Sequence, residues 1–241
     1  MNIILLREDD FIHNSTRVLI KDDRFIHIVG VINPKIGQSL KVGLLGGSCG
    51  YGIVESIHSK GVILNVVLNE LAPHRHPFDI VLALPRPKML RRILRTIAEY
   101  GVDNLHLINS ARVEKSFWQS PLLQQEKIHD ALMAGMERSK DTIMTNVLLH
   151  QRFRPFIEDK LPGICGDRDC WLTDMNATRS AVDIDISSKP SVVMIGPEGG
   201  FVPFETELAI STIAQPIHLG GRTLSVDTAV TTVLAQALPK K

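Results

Sequence analysis

The hydrophobic pattern of this chain changes once, across Leu71-Ala72-Pro73-His74-Arg75-His76-Pro77, and the two sides demand different folds. Before this stretch lie short aliphatic and β-branched runs at Phe25–Val29, Leu40–Leu44 and Gly61–Leu68. Turn signals separate them at Asn33-Pro34, Gly46-Gly47 and Ser59-Lys60-Gly61. Such spacing predicts a small barrel or compact sheet. After the stretch, strands and helices alternate. Ile80–Leu84 is a continuous apolar run, as in a strand buried on both faces. Leu90, Ile93, Leu94 and Ile97 then fall at helical spacing, predicting a helix over 88–100 closed by Gly101. Further strands are expected at Asn104–Ile108, Ser191–Ile195 and Pro216–Leu219, and helices at 122–137, 203–213 and 227–237. Alternation of this kind argues for an α/β domain with a mostly parallel sheet. The predicted division is residues 1–72 and 73–241.

Charge excludes some functions and leaves others. The 27 Lys and Arg against 26 Asp and Glu rule out an acidic tail or a basic coat over the whole chain. The cations are unevenly placed, however. Arg75, Arg86, Lys88, Arg91, Arg92 and Arg95 face one acid, Asp79, within 22 residues. Lys88, Arg91, Arg92 and Arg95 share the polar face of the expected helix. They suit RNA phosphates, or simply a solvated face. No apolar run is long enough for a membrane span, and the first residues lack the flanks of a signal peptide. Three cysteines (Cys49, Cys165, Cys170) argue against a disulfide framework, so the chain is read as cytoplasmic. Cys165 and Cys170 lack a second ligand pair, so no metal is expected.

Two loops that follow strands are rich in glycine: Gly196-Pro197-Glu198-Gly199-Gly200 and Gly220-Gly221-Arg222. Ligands of open α/β sheets bind at the carboxyl ends of strands, where both loops are expected. Neither has dinucleotide-binding spacing, and neither continues into the Gly-Lys-Ser/Thr of a phosphate loop.

The combination is more specific. Ile195-Gly196-Pro197-Glu198-Gly199-Gly200-Phe201, with Glu205 beyond it, resembles a signature of the SPOUT methyltransferases. Leu219-Gly220-Gly221-Arg222-Thr223-Leu224-Ser225-Val226-Asp227-Thr228-Ala229 is similar to that superfamily's "LGxRILRxETA" segment. Leu84-Pro85-Arg86-Pro87-Lys88 and Ala98-Glu99-Tyr100-Gly101-Val102 resemble the first strand and helix of one branch, the ribosomal RNA small-subunit methyltransferase E family. His27-Ile28-Val29-Gly30-Val31 extends the likeness into the N-terminal region.

The resemblance implies an N-terminal PUA-like β-barrel that helps bind RNA. It implies a C-terminal SPOUT domain with a parallel sheet and a deep trefoil knot that holds S-adenosylmethionine. It implies a homodimer that methylates N3 of a uridine in small-subunit (16S) ribosomal RNA. Carried onto this sequence, the cofactor loops would be Leu172-Thr173-Asp174, Gly196 to Gly200 including Glu198 and Gly199, and Leu219-Gly220 through Leu224. Leu219 and Leu224 would cover the adenine. Arg222 is the candidate for stabilising charge on the uracil oxygens or for a phosphate contact. Glu198 and Asp227 are the carboxylates nearest the inferred pocket, each with an alternative role at a helix entry. Arg86, Lys88, Arg91, Arg92 and Arg95 would contact the RNA backbone.

The chain departs from the family pattern at several positions. Ser225 stands where Arg is usual, and Asp227 where Glu is usual. Asn33 replaces an Arg. The "EQSGR" segment reads Glu137-Arg138-Ser139-Lys140-Asp141. These departures keep two alternatives open: a SPOUT methyltransferase with another RNA target, and a non-catalytic knotted RNA-binding protein. Among the remaining side chains, His74 and His76 are read as a solvated turn, with RNA contact as the second reading, and Trp118 and Trp171 as core or dimer packing residues.

Overall fold

The computed structural model describes residues 2–13, 15–184 and 189–238. It forms two compact units. One comprises Met1–Pro73 with Met136–Met144, and the other His74–Gly135 with Thr145–Lys241. The segment Met136–Met144 therefore clusters with the N-terminal residues, although the sequence pattern places it in the second domain.

The first unit contains β1 (Ile4–Leu6), β2 (Arg17–Ile20), the short helix α1 (Asp23–His27), β3 (Ser39–Leu44), β4 (Cys49–His58) and β5 (Gly61–Glu70). The strands form one sheet in the order β1-β3-β4-β5-β2. β1 pairs with β3 in parallel, and the other ladders are antiparallel. Inward-facing Ile4, Leu6, Val18, Val42, Val54 and Leu64 make the core. The expected strand at Phe25–Val29 is instead helical. The Asp22 carboxylate caps α1 by accepting the Arg24 amide at 3.1 Å. The buried Arg24 guanidinium then binds both Asp10 and Asp22 at 2.7 Å. This ion cluster needs the chain to turn there, and it overrides the β propensity of Phe-Ile-His-Ile-Val. A wider helical turn, Ile28–Ile32, continues α1 and ends at Asn33 in the left-handed region, φ 46°.

The second unit holds β6 (Phe78–Ala83), α2 (Pro87–Tyr100), β7 (Asn104–Ile108), α3 (Gln125–Ser139, whose last turn belongs to the first unit), β8 (Asn146–His150), the helical turn α4 (Phe153–Pro155), α5 (Leu161–Cys165), β9 (Asp169–Thr173), β10 (Ser191–Ile195), α6 (Pro203–Thr212), β11 (Gln215–Ile217) and α7 (Val226–Ala235). Its six strands form a parallel sheet in the order β11-β9-β10-β6-β7-β8. Every residue of β6 and β10 is buried, as a sheet covered on both faces requires. α2 buries Leu90, Ile93, Leu94, Ile97 and Ala98 and packs against α7. Gly101 ends it at φ 71°, the left-handed closure read from the sequence. No helix among the described residues is long and apolar enough to cross a membrane.

His76 is not a solvated turn residue. It is 3% exposed, its Nδ1 accepts the Phe78 amide at 3.1 Å, and its Nε2 donates to the Leu234 carbonyl at 2.9 Å. That pairing requires the neutral ring, and burial depresses its pKa accordingly. Cys165 and Cys170 are free thiols buried in the core. At the amino-terminal end of the sheet, Asp79 is buried and pairs with Arg168 at 2.6 Å and with the Asn104 amide at 3.0 Å.

His106 and His150 stack, with Nδ1 and Nε2 3.1 Å apart, against Phe156. Burial lowers both, and His106 and Lys160 help push His150 to about 4. Both rings are neutral in the fold and protonate near pH 6.5 once unfolded. Their contribution to stability is therefore present above about pH 6.5 and is lost as pH falls toward 4. Urea denaturation between pH 7 and 4.5 is expected to show this fall, and His150→Gln is expected to flatten it. Lys140, just past α3, sits at φ 63°. A Cβ is strained there, so Lys140→Gly should raise stability by roughly 1 kcal/mol in the same assay.

Candidate functional site

The sheet order decides what can meet. β11, β9 and β10 are adjacent and parallel, so the segments after Thr173, Ile195 and Ile217 leave the same edge. The three inferred cofactor loops are thereby brought together, although they are far apart in sequence. The Asp174 amide donates to the Ile217 carbonyl at 2.8 Å, which joins two of them. Thr173 Oγ1 donates to the Met194 carbonyl at 3.1 Å, which ties β9 to β10 at this edge. The Leu172 side chain is fully buried in the core, so only its backbone can face a ligand.

The loop at Gly196–Gly200 is held from two directions. Gly200 turns at φ 72°, with its amide donating to the Pro197 carbonyl at 2.8 Å. Beyond it, Glu205 is 3% exposed. Its Oε2 accepts the Val202 amide at 3.0 Å and closes the entry of α6, while Oε1 accepts the Ala111 amide at 2.7 Å. Arg112 Nη1 donates to the Gly199 carbonyl and, at 3.4 Å, to that of Gly200. One short stretch after β7 thus clamps both ends of the glycine loop. Sequence reasoning missed Ala111 and Arg112 and assigned Glu205 no role. The signal was present: Ser110-Ala111-Arg112 follows a parallel strand at its carboxyl end.

The segment from Leu219 to Leu224 has no regular structure. Gly220, at φ 113°, and Gly221 both have open space where a Cβ would project. Among the described residues, the backbone N–H groups of Gly221, Arg222, Thr223 and Leu224 meet no protein acceptor, and neither do those of Glu198, Gly199 and Phe201. Leu219 and Leu224 are half-buried, and Arg222 is exposed.

Glu198 is exposed and pairs with Arg86 at 3.1 Å. Asp227 accepts the Ser225 hydroxyl at 2.6 Å and its own neighbour's amide, Thr228, at 3.1 Å. Ser225 occupies the cap position of α7 by its backbone, yet its hydroxyl serves Asp227 instead of the helix amides. That hydroxyl, the Thr228 amide and Arg92 at 3.5 Å hold the Asp227 carboxyl below the usual range. A carboxylate so stabilised is a weaker base. Of the α2 cations, Lys88 and Arg91 are exposed and Arg92 is engaged by Asp227. Arg95 is half-buried, with a buried Nε that meets no partner among the described residues.

A family model described as the RNA methyltransferase domain matches residues 72–238. The chain belongs to the RNA methyltransferase family. Over 244 aligned residues it is 27% identical to the ribosomal RNA small subunit methyltransferase E of Treponema pallidum, covering 99% of this chain and 91% of that protein. It is 22% identical to the ribosomal RNA small subunit methyltransferase E 1 of Borreliella burgdorferi, covering 95% of this chain and 94% of that one. Among solved structures, it is similar to the ribosomal RNA small subunit methyltransferase E of Neisseria gonorrhoeae bound to S-adenosyl methionine. The TM-score is 0.78 and the identity 19%, over 98% of this chain and 95% of that one.

Glu205 should anchor this methyltransferase's glycine loop. Glu205→Ala leaves the Val202 and Ala111 amides without their charged acceptor. It is expected to lower unfolding stability by roughly 2 kcal/mol, measured by urea titration, with Glu205→Gln losing less.

Proposed function

We propose that this chain is a cytoplasmic, S-adenosylmethionine-dependent methyltransferase that methylates N3 of a uridine in small-subunit (16S) ribosomal RNA. The observation that carries this is the gathering of three loops, after β9, β10 and β11, at one sheet edge. The unpaired backbone donors and open glycines there suit S-adenosylmethionine. Its amino-acid end needs N–H donors, and its adenine needs an apolar cover with a backbone edge. Leu219 and Leu224 would supply the cover, and the amides of Gly221 to Leu224 and of Glu198 and Gly199 the donors. The same order, with β9 between β11 and β10, supports the deep trefoil knot. The five-stranded N-terminal sheet supports a PUA-like barrel that helps bind RNA. Val182, 76% exposed, and Met175, 58% exposed, offer apolar surface near these loops for a homodimer.

The bound cofactor supplies an electrophilic methyl group. The protein's task is to hold the acceptor in line with it and to manage one proton. Uracil N3 gives up its proton, the new N–C bond forms as the methyl–sulfur bond breaks, and the electron pair of that bond stays on sulfur. Arg222, exposed in the third loop, would contact a phosphate beside the acceptor uridine and so hold the base in line. Glu198 is the better placed base, because its exposed pair with Arg86 is weak and exchangeable whereas Asp227 is held by Ser225, Thr228 and Arg92. The exposed cations Lys88 and Arg91 would take RNA phosphates.

The test adds the full chain and methyl-labelled S-adenosylmethionine to small ribosomal subunits from cells lacking this modification. Nucleosides are then identified by mass spectrometry. The expected product is 3-methyluridine. Label in another nucleoside would replace the target, and cofactor-independent RNA binding without label would replace the activity. Arg222→Ala is expected to slow transfer roughly 100-fold, through loss of acceptor positioning, while calorimetry shows unchanged cofactor affinity.

A further inference from the structure

A cleft adjoins the glycine loop on the side away from the other two cofactor loops. Because the sheet runs β11-β9-β10-β6-β7, the Gly196–Gly200 loop divides that edge. The cofactor loops after β9 and β11 lie to one side of it. The segments after β6 and β7 lie to the other. There a cleft of about 190 Å³ is lined by Leu84, Pro85, Arg86, Arg112, Phe117 and Glu198, with Glu114, Pro197 and Gly199 completing it.

We propose that this cleft is the acceptor subsite of the methyltransferase reading above, taking one unstacked uracil-like base of the RNA. Its size suits a single ring, being below the roughly 300 Å³ at which drug-sized ligand pockets begin. Phe117 and Pro197, both half-buried, provide the apolar surface on which an unstacked base rests, while Leu84 and Pro85 are buried. The polar lining also selects the chemistry. A bare phosphate accepts hydrogen bonds only, and the carboxylates of Glu198 and Glu114 would repel it. A uracil edge offers acceptor, donor and acceptor at O2, N3–H and O4. Two guanidiniums that donate and a carboxylate that accepts match that edge.

Arg112 has a double place here. Its Nη1 is engaged by the Gly199 and Gly200 carbonyls, while Nε and Nη2 meet no protein acceptor among the described residues. It is a positioning residue for the wall of the cleft, with donors left for the base. Arg86 and Glu198 now satisfy each other across the lining at 3.1 Å, with side chains 63% and 44% exposed. Exposed pairs of this kind are weak, so an entering base can exchange with each partner.

The test uses the full chain with small-subunit RNA carrying 4-thiouridine, cross-linked by near-ultraviolet light and mapped by peptide mass spectrometry. Adducts are expected within residues 84–88 or 112–117. Adducts confined to other segments would overturn the subsite. Phe117→Leu should raise the RNA concentration for half-maximal cross-linking about fivefold or more, with S-adenosylmethionine affinity by calorimetry within about twofold of the parent. Cross-linking unchanged by Phe117→Leu would overturn the cleft. The two readings separate cleanly. Cross-linking through the cleft without 3-methyluridine defeats the methylation reading alone, and 3-methyluridine with cross-links elsewhere defeats the cleft alone.

Discussion

β10 is five residues long, buried throughout, and paired in parallel with β9 on one side and β6 on the other. Its central position sets the rest of the second unit. Parallel pairing puts all carboxyl ends at one edge, so the loop leaving β10 has neighbours from both halves of the sheet. Polar side chains are absent from this strand except Ser191, so the loop's shape must be held by contacts beyond the strand's end. Glu205 and Arg112 meet that need. One is a buried carboxylate that collects amides from two segments, and the other a guanidinium that collects carbonyls. Both are charge-assisted contacts to backbone, which makes them stronger and more directional than neutral ones.

Much of the second unit was legible because its signals are local. Ile80–Leu84, Asn104–Ile108 and Ser191–Ile195 are apolar runs bounded by turn residues, and they appear as strands within a residue or two. α2 followed from its 3.6-residue periodicity and Gly101. What escaped depends on contacts distant in sequence. β4, which contains Gly50 and Gly52, is not among the strands expected from the sequence. Gly50 lies so close to the Val67 carbonyl that no side chain fits, and that constraint exists only once β5 is in place. The strand expected at Phe25–Val29 became a helix through an ion cluster with Asp10, which local pattern cannot foresee. His76 looked solvated beside two prolines, but Leu234, 158 residues away, supplies its acceptor.

The candidate site divides in the same way. Glycine motifs announced two loops, and their backbone conformations are what the motifs demand: positive φ at Gly200 and Gly220. The residues that hold the first loop were silent in the sequence, because Ala111 contributes only an amide and Arg112 is one arginine among many. Their importance arises from the β6-β7 pairing, which carries the segment after β7 to the carboxyl edge of the sheet.

The family departures at 225 and 227 are coupled in this structure. A shorter carboxylate at 227 and a hydroxyl at 225 fit each other, with the Ser225 hydroxyl 2.6 Å from Asp227 and 2.9 Å from Thr228. Loss of an arginine at 225 would leave that carboxylate without a cation, but Arg92 of α2 reaches it at 3.5 Å. The positive charge is therefore returned from a different element, one whose exposed face also carries Lys88 and Arg91. Serine cannot reproduce the planar fork of an arginine toward a bidentate partner, so position 225 offers no bidentate contact even though the local charge balance survives. The consequence falls on what the α7 entry can offer to an RNA phosphate or carboxylate, and not on the three loops, whose backbone donors and glycine conformations do not involve residue 225.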